Sequence, residues 1–154
     1  MKKKTVLSVP FVRQVTTKIG LAACTEMVLK HYGIEARQRE LYEKAKWGEG
    51  EKEGCTDAGI GIALADFGYR FVCWKNERFD RPQKWKDLEE HYWPQYWRAV
   101  KLGLLEVKKD ADIFLIREFL DKGIPVIVEV DNGKFNNKET TWTQLILLIA
   151  HSNT

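Results

Sequence analysis

The sequence has 154 residues, 44% of them hydrophobic and 31% charged; it is about one domain long and lies outside the disordered class, which lacks the apolar area to offset chain entropy. Its formal charge of +3 is spread through mixed runs such as Glu35-Ala36-Arg37-Gln38-Arg39-Glu40, not gathered into the basic stripe of a phosphate-backbone binder. Nucleic acid is therefore excluded as the expected partner.

Met1-Lys2-Lys3-Lys4 imitates a secretory n-region, but Thr5 to Phe11 is too short and too broken by Ser8 and Pro10 to follow it as an apolar core, so a cytoplasmic address is expected. Leu21 to Tyr32 is a predicted helix, with Leu21, Cys24, Val28 and Tyr32 on a helical period and Gly33 as a left-handed stop. Arg37 to Lys46 is a shorter helix with Leu41 and Ala45 inward, and Gly48 to Gly54 is a polar loop. Thr56 or Asp57 caps a third helix, Ala58 to Phe67, which ends at Gly68 before a strand, Tyr69 to Trp74.

Between Trp85 and Trp97 the chain sets Tyr92, Trp93 and Tyr96 among charges, and Pro94 predicts two short helices meeting there. Rings of this size anchor satellite cores and can wall a groove. Asp110 or Asp112 then caps a helix from Ile113 to Leu120, closed by Asp121-Lys122-Gly123. Pro125 to Val130 and Thr143 to Ala150 are buried strands flanking an Asp131-Asn132-Gly133 turn. The longest apolar run, Leu145 to Ala150, falls far below the ~20 residues of a membrane span. Cys24, Cys55 and Cys73 form no CxxC pair, so separate reduced thiols are expected and no metal or cofactor is indicated. There are no repeats, and residues 1–154 read as a single domain.

Two stretches carry a resemblance: Val9-Pro10-Phe11-Val12-Arg13-Gln14, and Ala22-Ala23-Cys24-Thr25-Glu26-Met27-Val28-Leu29-Lys30-His31-Tyr32-Gly33. With Gly123-Ile124-Pro125-Val126-Ile127-Val128-Glu129-Val130 and the apolar C-terminal strand, they make the chain similar to papain-like bacteriocin-processing peptidases, the double-glycine leader peptidase family. In that family a Gln, five intervening residues and a Cys-Gly pair open a helix that ends in Tyr-Gly. Residues 76–103 look like an aromatic-rich helical insertion.

The chemistry of that arrangement is general. A thiolate at a helix N-terminus is stabilised by the macrodipole and unpaired N–H groups, while an upstream Gln donates to the oxyanion. A strand histidine holds the thiolate and later acts as general acid. The resemblance places Gln14 at the oxyanion position, but Gly20 at the nucleophile and Gln144, or Thr143, at the histidine. Only Asn153 remains for the group that orients the base. The alternative keeps the enzyme, with Cys24 as nucleophile and His151, His91 or His31 as base. Cys24 lies one turn inside the helix, where the dipole has faded, and His31 is two turns further on.

These readings imply an α+β, papain-like fold: a helical N-terminal part on a small antiparallel sheet of Tyr69–Trp74, Pro125–Val130 and Thr143–Ala150. The sheet is expected to be short of strands at its C-terminal edge. The implied function is a pseudo-peptidase that binds a peptide or protein partner without cleaving it. The alternatives are an active cysteine peptidase or a structural domain without a groove. A homodimer through the uncovered final strand is expected.

Overall fold

The computed structural model describes residues 4–48, 54–75, 86–131 and 143–152; residues 4, 5, 86–91, 131, 143, 144, 151 and 152 are described by their backbone alone. Its order is β1 (Lys4–Val6), α1 (Gly20–His31), α2 (Gln38–Ala45), β2 (Lys46–Trp47), β3 (Gly54–Cys55), α3 (Asp57–Leu64) and β4 (Phe71–Trp74), then α4 (Lys86–Lys101), β5 (Leu105–Lys108), α5 (Ile113–Asp121), β6 (Val126–Asp131), β7 (Thr143–Leu148) and β8 (Ala150–Ser152). The chain is thus mixed α+β. No described helix is long and apolar enough to cross a membrane.

The helix ends follow from local chemistry. Helix α1 ends before Gly33, whose φ of +75° suits a residue without Cβ. The Thr56 hydroxyl accepts the Gly59 N–H at 3.0 Å and so caps α3. After α3 a 3-10 turn, Ala65–Phe67, leads to left-handed Gly68. Asp112, not Asp110, caps α5 by accepting the Leu115 N–H at 2.7 Å.

Helix α3 is apolar nearly all round and is buried accordingly. On one side it joins Leu21, Ala22 and Leu29 of α1 and Leu41, Tyr42 and Ala45 of α2 through Ile60, Ala63 and Leu64. Ile127 of β6 and Leu145 of β7 pack against this cluster. On the other side Ala58 meets Ala99 of α4 and Leu105 of β5. Phe71 touches both clusters. Helix α3 therefore links the two halves of the core.

Three sequence expectations are corrected. Strand β4 does not join the two C-terminal strands; it pairs in parallel with β5, Phe71 opposite Leu105 through Trp74 opposite Lys108. A parallel pair needs a crossover of a dozen or more residues, and the segment read as an insertion supplies it, with α4 as the connecting helix. Second, α4 is one helix containing Pro94. The proline is on the exposed side while Tyr92 and Ala99 are buried, so water can serve the carbonyl the proline leaves unpaired. Third, the final strand has a neighbour. It breaks at Ile149 and continues as β8, which pairs antiparallel with β1, Lys4 opposite Ser152 and Val6 opposite Ala150. The Leu7 N–H donates to the Ile149 carbonyl at 2.8 Å and extends the pairing. Of the predicted antiparallel sheet, β6 and β7 pair as expected, Val126 opposite Leu148 through Asp131 opposite Thr143. Trp85, the Asn132-Gly133 turn, Asn153 and most of the polar loop before Gly54 lie outside the described residues.

Two glycines allow a contrast. A Cβ on Gly59 would lie 2.0 Å from the Ala45 carbonyl oxygen, a backbone atom that cannot yield without moving α2. A Cβ on Gly20 would meet only the end of one flexible side chain, no nearer than 3.4 Å. Gly59→Ala is expected to cost about 3 kcal/mol by overpacking. Gly20→Ala is expected to be neutral or to stabilise by up to about 1 kcal/mol. Urea unfolding of both variants checks the pair, and equal effects would show that the close approach of α3 to α2 is misplaced.

Candidate functional site

The site is built where the exposed segment Arg13–Lys18 runs into α1. Ile19 precedes the helix with a non-helical backbone and supplies no side-chain cap, and the first turn of α1 holds no acidic residue. Its first amides are therefore left without a side-chain acceptor of their own. Gly20 is the first helical residue. A Cβ built there would sit 3.4 Å from Gln14 Oε1 and 3.8 Å from its Cδ and Nε2. The side chain that the resemblance assigns to the oxyanion position thus neighbours the residue it assigns to the nucleophile, with its oxygen nearer than its nitrogen. Gln14 Nε2 donates one hydrogen bond to the Thr16 carbonyl, which orients the amide, and a second N–H remains on that nitrogen.

Position is set by residues that sequence reasoning passed over. Gln38, 5% exposed, accepts the Val15 N–H through Oε1 at 3.0 Å and donates through Nε2 to the Arg13 carbonyl at 2.9 Å. It grips the backbone on both sides of Gln14. The Gln38 N–H in turn donates to Glu26 Oε2 at 2.8 Å, and Glu26 Oε1 pairs with Lys30 at 2.7 Å. The i,i+4 spacing of Glu26 and Lys30 is legible in the sequence. The burial of Glu26 on the core side of α1 is hinted at by its place between Ala22 and Leu29.

The other sequence candidates are scattered. Thr143 and Gln144 open β7, opposite Asp131 and Val130, and β7 packs beside α1. Cys24 is buried in the second turn of α1, and burial pushes its thiol above the ordinary 9.0. That environment opposes a nucleophilic role. The His31 ring is engaged elsewhere: Nδ1 lies 2.8 Å from the Ser8 carbonyl and Nε2 3.2 Å from that of Gly123. It ties the N-terminal segment to the α5–β6 turn. His151 stands opposite Thr5 in β8, and His91 lies within α4.

A second polar cluster lies at the start of α3. The Asp57 carboxylate pairs with Lys75 at 2.5 Å and accepts from the Tyr92 hydroxyl at 3.4 Å, the Cys73 thiol at 3.7 Å and the Ala58 N–H at 2.9 Å. Burial and then the Asp57 charge push Cys73 up to about 11 and Cys55 up to about 12. Burial pulls Lys75 down, but Asp57 and Tyr92 more than offset this and hold its ammonium above the ordinary range. Asp57 is saturated with donors and ties β4 to α3 and α4. The cluster braces the fold.

No protein-family model, curated protein or solved structure matches the chain.

Two measurements follow from the thiols. With Cys55 pushed up to about 12 and Cys73 to about 11, iodoacetamide at near-neutral pH should label these two at least ~10-fold more slowly than a model thiol, since each unit of pKa removes tenfold in thiolate, and Cys24, raised by burial, should also react more slowly than a model thiol. A mass-spectrometric time course showing rapid labelling of Cys24 would contradict this. The Cys73 thiol stays protonated in the fold where the unfolded chain, at its ordinary 9.0, would ionise. Its contribution to stability is complete below pH 9 and is lost as pH rises through about 11. Across that window the melting temperature should fall more steeply for the wild type than for Cys73→Ala. Parallel curves would remove the coupling.

Proposed function

We propose that the chain is a papain-like pseudo-peptidase domain that binds an extended peptide or protein segment beside Gln14 and the start of α1 without cleaving it. The observation that carries this reading is the place of the Gln14 amide beside Gly20 at the helix opening, its oxygen 3.4 Å from where a Cβ on Gly20 would stand. It joins the oxyanion donor and the nucleophile position that the resemblance assigns, and the latter carries no thiol. The packing of α1 beside β7 supports the same reading, because the resemblance assigns the base to the start of that strand.

The chemistry retained is that of recognition. A carbonyl of the bound segment is held by the second Gln14 N–H and by the amides of the first turn of α1, donors suited to a polarised oxygen. With no nucleophile at Gly20, the carbonyl is held but not attacked. The homodimer expected through the final strand belongs to this reading as well, over the shorter edge Thr143–Leu148, since β1 takes Ala150–Ser152.

The test uses a synthetic peptide ending in two glycines, the substrate feature implied by the resemblance. Titration should shift the amide resonances of Gln14, Gly20 and Leu21, and the peptide should remain intact over a day. Cleavage, or shifts confined to other surfaces, would overturn the proposal. A Gly20→Cys variant supplies an independent check. At a helix N-terminus its thiol should ionise below the ordinary range and react at least ~10-fold faster than the three native thiols. A sluggish thiol at that position would count against a vestigial nucleophile site.

A further inference from the structure

We infer that Gln38 is the positioning residue of this site: its buried amide holds Gln14 against Gly20, and Glu26 refers that position back to the helix that Gly20 opens. The inference rests on the site reading above and deepens it by naming what fixes the geometry.

A partner that takes the carbonyl of one residue and the N–H two residues later grips the residue between them. Gln38 does this with a single side chain, taking Arg13 O and Val15 N–H. Its amide acts as one rung of a ladder around Gln14. A 5% exposed amide is costly to bury unless both ends are satisfied, and here both are. As the first residue of α2, Gln38 also has an N–H with no intrahelical acceptor, and that N–H goes to Glu26.

Glu26 is 5% exposed and lies on α1, six residues after Gly20, with its second oxygen paired to Lys30. The contacts close a circuit: from Gly20 along α1 to Glu26, across to Gln38, on to the peptide flanking Gln14, and through the Gln14 amide back to Gly20. The helix that carries the slot also carries the reference for the loop that faces it. Arg13 through Lys18 are exposed, so packing does little to fix them. The circuit sets their register.

The experiment reads the geometry directly. In the full chain an NOE should join the Gln14 side-chain amide protons to the Gly20 α-protons. Gln38→Leu removes both polar ends at similar size and should reduce that cross-peak to background while the sequential NOEs of α1 persist. A cross-peak of wild-type intensity would overturn the inference. If Gln38→Leu does not fold, Gln38→Glu decides: it keeps the acceptor for Val15 but sets a carboxylate oxygen against the Arg13 carbonyl, so the cross-peak should weaken, and an unchanged one would overturn the inference.

A second measurement separates positioning from general support. In Gly20→Cys, the thiolate adds to the carbonyl carbon of a peptide aldehyde ending in glycinal, forming a C–S bond while the carbonyl pair moves to oxygen and takes a proton. In that background Gln14→Ala and Gln38→Leu should each weaken binding about tenfold, and the double variant should lose no more than either. Additive losses would mean that Gln38 acts independently of Gln14. Binding indifferent to Gln14 would sink the site reading, and the NOE comparison would still decide whether Gln38 holds Gln14 in place.

Discussion

The fold depends on how closely α3 approaches the end of α2. Gly59 stands where any Cβ would overlap the Ala45 carbonyl, and a Cβ on Gly61 would fall 2.6 Å from that of Leu104. Glycine inside a helix costs ~0.5–1 kcal/mol relative to alanine, so two of them within eight residues need a reason. The reason is reach: small residues let α3 lie between the α1–α2 layer and the β4–α4–β5 unit and contribute to both core clusters. A polar tie sits at the same junction. Gln95 of α4 donates to the Ala45 carbonyl at 3.0 Å and accepts from the Thr56 hydroxyl at 2.8 Å. The oxygen that Gly59 spares is therefore also an anchor for α4.

The site inherits its geometry from this arrangement. Once α2 is fixed against α3, its first residue, Gln38, is fixed as well, and with it the backbone around Gln14. The long α4 crossover adds the Asp57 cluster on the other side. There burial and a saturated carboxylate raise neighbouring thiols, where a catalytic site would lower one. The chain thus contains two polar clusters with opposite character. One gathers four donors on a single carboxylate, and the other sets an exposed amide, that of Gln14, beside the part-buried residue that opens α1.

The sequence was most legible where one residue dictates one conformation. Gly33, Gly68 and Gly123 all adopt positive φ at helix ends, and the caps by Thr56 and Asp112 were readable from residue type and spacing. Pairing was less legible. Leu105–Lys108 is a short, charge-interrupted strand, and β1 gains its strand character only by meeting the last residues of the chain, a contact no local pattern encodes. Pro94 misled because local propensity argues for a break, whereas burial of Tyr92 and Ala99 on one face holds a single helix. Gln38 was hidden in the run from Glu35 to Glu40, which has the composition of a solvated face.

That concealment bears on what the Glu26–Gln38 relay does. A buried hydrogen-bonded pair contributes little net stability, and an apolar replacement of similar shape is often neutral or better. Leu or Met at residue 38 would still leave α2 with Leu41, Tyr42 and Ala45 in the core. What such a replacement cannot do is choose a register for an exposed segment outside any strand. Apolar contact is non-directional, while an amide that must meet one carbonyl and one N–H admits a single alignment of Arg13 and Val15. Conformational specificity, not stability, is what distinguishes the relay from ordinary packing. Its specificity is directed at one exposed side chain, Gln14, which stands beside the residue that opens α1.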